Sequence, residues 1–155
     1  IVFYMKKFNT ISEILDFAIG EEQAAVDFYL QLAAQSKSQQ TKKIFQEYAE
    51  EEMRHKANLL NIKESGSFRV PDKKVRDLKI AEYLVDVKPS ANMSYQDALI
   101  LAMKKEKAAF RMYTALAGKA EDPSVKATFL NLAQEESKHK LRFEIEYDDF
   151  ILKEN

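Results

Sequence analysis

The chain reads as all-α: a four-helix bundle made of two repeated helix pairs joined by a long crossover. Three observations predict it. Glycine and proline are scarce, three of each in 155 residues, which favours long helices over a turn-rich β architecture. Apolar residues recur at alternating spacings of three and four, the period of a helix with one buried face. The sequence also repeats itself. Shifted by 84 residues, positions 15–59 align with 99–143 without a gap, and 15 of the 45 pairs are identical, so each half is a copy of one helix pair.

The first helix is expected over residues 11–35, opened by Thr10 with Glu13 in capping-box positions. Ser38 is a good N-cap for a second over 39–61. Ser94 with Asp97 repeats the capping box before a third helix over 95–118. Asp122, with Pro123 at the first helical position, opens a fourth over 123–149. Short connections make the two helices of each half antiparallel neighbours. Residues 62–93, with Gly66, Pro71 and Pro89, form the crossover, and a short helix is expected there around 79–85. The whole chain, 1–155, is thus one domain: helix pair 11–61, crossover 62–93, helix pair 94–149. The halves cannot be separate domains, because each would expose an apolar helix face. Met5 is a candidate natural start, preceded by four residues of uncertain origin.

Composition excludes several functions. A net charge of -1 argues against a nucleic-acid surface. No apolar run approaches the roughly 18–20 residues of a membrane span, and the apolar opening Ile1–Met5 is too short for a secretory segment. Without cysteine there is no disulfide, thiolate zinc site or iron–sulfur cluster. A cytoplasmic location is the default reading.

One feature of the seams is anomalous. The first helix turns Leu15, Ala18, Glu22, Ala25, Tyr29 and Leu32 inward, and the third repeats this as Leu99, Ala102, Glu106, Ala109, Tyr113 and Leu116. The second runs Phe45, Tyr48, Glu52, His55, Leu59, and the fourth Phe129, Leu132, Glu136, His139, Phe143. Four glutamates and both histidines of the chain therefore fall on core positions. A buried, isolated carboxylate costs several kcal/mol, roughly, unless it is paired or bound to a cation. Two histidines cannot neutralise four carboxylates even when protonated, but two divalent metal ions can. Glu-x-x-His places both side chains on one helix face, and oxygen with imidazole ligands suits iron, manganese or zinc. One glutamate from each of two helices, plus Glu-x-x-His from each of the others, is the ligand pattern of ferritin-like di-iron or di-manganese carboxylate bundles.

From residue 11 to residue 147 the chain resembles the rubrerythrin branch of the ferritin-like superfamily. The resemblance rests on two Glu-x6-Tyr elements, Glu22 with Tyr29 and Glu106 with Tyr113, each followed thirty residues after its glutamate by Glu-x-x-His. It implies two metal ions, iron above all, with Glu52 and Glu136 bridging both. Glu22 with His55 would serve one ion and Glu106 with His139 the other. Tyr29 and Tyr113 would hydrogen-bond carboxylate ligands or act simply as core aromatics. Glu51 and Glu135 could orient the histidines, though solvated faces are the expectation for both. Two departures stand out. The extra glutamate that the family carries three residues after Glu106 is Ala109 here, matching Ala25, so a redox-linked exchange of glutamate and histidine on one iron is not implied. The usual rubredoxin domain is absent from these residues, so electrons would come from a separate donor such as a rubredoxin-type protein.

The activity implied is reduction of hydrogen peroxide or oxygen, a peroxidase role in oxidative stress. The alternative is ferritin-like ferroxidation and iron handling, which would need a cage of many subunits. Oxidation of an organic substrate is a third, needing an apolar channel. The family points to a homodimer, and the long crossover would permit exchange of helix pairs between chains.

Overall fold

The structure, a computed structural model, describes residues 8–85, 87–90 and 92–154, so the expected start at Met5 lies outside the described residues. Helix α1 spans Ile11–Gln35, α2 Gln39–Ser65, α3 Asp72–Asp77, α4 Tyr95–Lys119 and α5 Pro123–Glu154, with a 3-10 turn at Ile80–Tyr83. No strand occurs among the described residues. α1 packs along α2 and α4 along α5, and the two hairpins meet through lighter α2–α5 and α1–α4 contacts.

Each long helix starts where a side chain satisfies its free backbone donors. Thr10, Ser38 and Ser94 accept from the amides of Glu13, Thr41 and Asp97. Asp122 Oδ1 accepts from the amides of Ser124 (2.8 Å) and Val125 (3.2 Å). Two helices run further than the sequence suggests. α2 continues to Ser65, ending only where Gly66 takes the left-handed conformation (φ 65°), which costs glycine nothing. α5 continues beyond 149 to Glu154 because its last turns are held in place: Phe150 packs edge-on to Tyr95 (5.3 Å), and Glu146 accepts from Tyr95 (3.0 Å) and Thr41 (3.4 Å). In the crossover, the helix expected around 79–85 is the 3-10 turn at Ile80–Tyr83, and the short α3 precedes it. α3 starts directly after Pro71 and buries only Val75, too little periodicity for a sequence pattern.

Two apolar clusters fill the bundle. One gathers Ile14, Leu15, Leu59, Leu116, Phe129 and Leu132, and the crossover residues Phe68, Val75 and Ile80 pack onto it. The other contains Phe28, Leu32, Phe45, Leu99 and Phe143, with the Phe45 and Phe143 rings stacked at 5.5 Å. Between them lies a layer of charge.

Candidate metal centre

The layer consists of Glu22 (α1), Glu52 and His55 (α2), Glu106 (α4), and Glu136 and His139 (α5), none more than 3% exposed. All six side chains predicted from the seams meet here. Ligand atoms of Glu22, Glu52, His55 and Glu136 lie within 4.8 Å of one another, as do those of Glu52, Glu106, Glu136 and His139. Glu52 and Glu136 belong to both groups. Ligand atoms about 2.1 Å from a shared ion are at most about 4.2 Å apart, so each group needs only small shifts to close on one.

The carboxylates face the histidines at close range. His55 Nδ1 is 2.8 Å from Glu136 Oε1, 3.4 Å from Glu52 Oε2 and 3.6 Å from Glu22 Oε2. His139 Nδ1 is 2.8 Å from Glu52 Oε1 and 3.7 Å from Glu106 Oε1. Yet both Nδ1 atoms, both Glu52 oxygens, Glu22 Oε2, Glu106 Oε2 and Glu136 Oε1 have no hydrogen-bond partner, although all are buried. Bare buried polar atoms converging on one point are a costly arrangement that a cation relieves.

Protonation tells the same story. Burial disfavours charge on His55, but the carboxylates of Glu22 and Glu52 close to its ring outweigh it, pushing the imidazole up to about 10. His139 is pushed up to about 12 against burial by Glu106, Glu51 and Glu52. Burial, with repulsion from Glu52, raises Glu22 well above the ordinary carboxylate range, and burial with the charge of Glu106 does the same for Glu136. Without a metal ion, protons take up the role of counter-charge.

The two tyrosines differ. Tyr113 donates to Glu22 Oε1 at 2.5 Å. Tyr29 has no hydrogen bond to a carboxylate among the described residues, and its ring stands edge-on to His139 at 6.1 Å. Tyr48 stacks on His139 at 4.0 Å, where the repeat-related position beside His55 is Leu132. The solvated faces expected for Glu51 and Glu135 need correction. Both are about one-third exposed, and each bonds a histidine Nε2 of the other half: Glu51 to His139 at 2.5 Å, and Glu135 to His55. The signal was the Glu-Glu-x-x-His spacing, but the partner depends on how α2 lies against α5.

A cavity of about 60 Å³ reaches the carboxylates of Glu22, Glu52, Glu106 and Glu136 from the α1–α4 seam. Ala25 and Ala109 line it beside Phe28 and Met112, and Leu84 and Pro89 of the crossover close over it.

A family comparison decides what this constellation belongs to. The family model for Rubrerythrin matches residues 13–92 and 97–155, nearly the whole length. The chain belongs to the rubrerythrin family. Its all-α bundle is the ferritin-like architecture, and its buried glutamates and histidines are compatible with the two-metal site of that family. No curated protein and no solved structure matches this rubrerythrin. Among its described residues, no helix is long and apolar enough to cross a membrane.

Proposed function

We propose that this rubrerythrin is a di-iron carboxylate redox protein that reduces hydrogen peroxide, or oxygen, to water with electrons from an external donor. The observation that carries the reading is the convergence of seven buried, unpartnered ligand atoms from four helices beneath a small cavity. Glu22, Glu52, His55 and Glu136 would hold one iron, and Glu52, Glu106, Glu136 and His139 the other. Two adjacent ferrous ions supply two electrons at once, the number that peroxide needs to become two waters with two protons.

The chain's own residues do the rest. Glu52 and Glu136, each common to both groups, tie the two positions together. Tyr113 fixes Glu22 through its hydroxyl. The apolar walls at Ala25, Phe28 and Met112 limit bulk water at the carboxylates while leaving room for a small uncharged oxidant.

Anaerobic stopped-flow of the ferrous-loaded protein tests this. Mixing with peroxide should oxidise the iron faster than mixing with oxygen, and far faster than free ferrous iron reacts. Oxidation no faster than in free solution would remove the reading.

A further inference from the structure

α2 and α5 lie antiparallel in a register that sets residue 51 beside 139 and residue 135 beside 55. Glu51 Oε2 is 2.5 Å from His139 Nε2, and the adjacent Glu52 Oε1 is 2.8 Å from His139 Nδ1. Glu135 hydrogen-bonds His55 Nε2, and the adjacent Glu136 Oε1 is 2.8 Å from His55 Nδ1. Each Glu-Glu pair thus grips both ring nitrogens of the histidine in the opposite half.

We propose that Glu51 and Glu135 are positioning residues of the metal centre, each holding the imidazole of the other half so that its Nδ1 lone pair faces the metal position. This rests on reading the six buried residues as a two-metal centre. A neutral imidazole has one donor and one acceptor, and an ionised carboxylate only accepts. The Glu51 and Glu135 bonds therefore place a proton on Nε2, which leaves Nδ1, on the side of the carboxylate cluster, as the nitrogen whose lone pair a metal ion takes up. A histidine anchored in this way keeps its ring plane and tautomer when the metal arrives. Glu51 is suited to the role: its side chain is about one-third exposed and lies at the edge of the buried layer, against the outer nitrogen of the His139 ring. The preceding Glu50 is simply exposed.

The arrangement is reciprocal, and that distinguishes it from a local effect. A general disturbance at Glu51 would fall on His55, one turn further along the same helix. The proposed role places the effect on His139, 88 residues away.

The test uses the full chain loaded with Co²⁺ for NMR and with Zn²⁺ for chelator competition. The wild type should bind two ions and show two slowly exchanging, metal-shifted imidazole N–H signals. Glu51→Ala should weaken one ion by roughly 10–100-fold and expose the His139 signal to solvent exchange, while Glu135→Ala does the same for His55. Glu51→Gln, whose amide oxygen still accepts from Nε2, should recover most of the loss, and Glu50→Ala should match the wild type. Cooperative melting of the metal-free variants checks their fold. Wild-type affinity in Glu51→Ala, a change at His55 instead of His139, or no recovery in Glu51→Gln would overturn the proposal. Fewer than one ion bound by the wild type would overturn the two-metal reading together with it.

Discussion

Tyr113 on α4 reaches across the repeat to donate a hydrogen bond to Glu22 on α1, while its repeat-related partner Tyr29 presents a ring edge to His139. The six candidate ligands are symmetric in sequence, but their surroundings are not. The Glu22 carboxylate has a hydroxyl donor, and the His139 ring has an aromatic cage of Tyr29 and Tyr48.

Tyr113→Phe should therefore be costly where Tyr29→Phe is not. Removing the donor leaves Glu22 Oε1 buried without a partner, a loss of about 1–3 kcal/mol of stability in denaturant unfolding. Metal affinity at the Glu22–His55 position should fall with it. Tyr29→Phe removes no carboxylate contact and should leave metal affinity at the wild-type value.

The shared carboxylates predict a partition of metal loss. Glu52→Ala and Glu136→Ala each take a ligand from both groups, so metal analysis should find both ions depleted. Glu22→Ala or Glu106→Ala takes a ligand from one group and should leave close to one tightly bound ion per chain. Equal depletion in all four variants would refute the shared arrangement.

The metal-free protein should lose stability as pH rises. His55 and His139 bind protons more tightly in the folded state, about 10 and 12 against the ordinary 6.5. Their contribution is complete below 6.5 and disappears as pH climbs through the folded values. Glu22 and Glu136, both raised by burial first, act in the same direction from the carboxylate range upward. Glu52 opposes them. Burial would raise it, but the close approach of the Glu22 carboxyl and of the His139 and His55 imidazoles holds it well below 4.5, so its contribution is lost only as pH falls. Melting temperatures of the metal-free protein should fall between about pH 6 and pH 10, the window of His55. The Zn²⁺-loaded protein should show no such fall there, since its ligands bind deprotonated.

Ala109→Leu should close the cavity above the carboxylates without touching a candidate ligand. Iron content should stay at the wild-type level while oxidation by peroxide slows by on the order of tenfold or more in stopped-flow. An unchanged rate would mean that the oxidant reaches the centre by another route.

Much of the fold and of the site is legible in the amino-acid sequence. The caps at Thr10, Ser38, Ser94 and Asp122 mark helix starts because the donors they satisfy are only two or three residues away. The inward set of Glu22, Glu52, His55, Glu106, Glu136 and His139 follows from the period of a single helix. Helix ends are less visible. α2 stops at Gly66, but α5 runs on to Glu154 because Tyr95 and Thr41, distant in sequence, hold Glu146 and Phe150.

What the sequence alone determined is the helical repeat and the six residues that point into the bundle, because periodicity and capping act within one helix. What only the tertiary structure decided is who meets whom between helices. Glu51 reaches His139 and Glu135 reaches His55 through the α2–α5 register, and Tyr113, not Tyr29, finds a carboxylate. The cavity beside Ala109 likewise exists because α1, α4 and the crossover approach without filling the space between them. Such contacts depend on how far one helix slides and turns against another, which packing across the whole core sets and no single helix encodes.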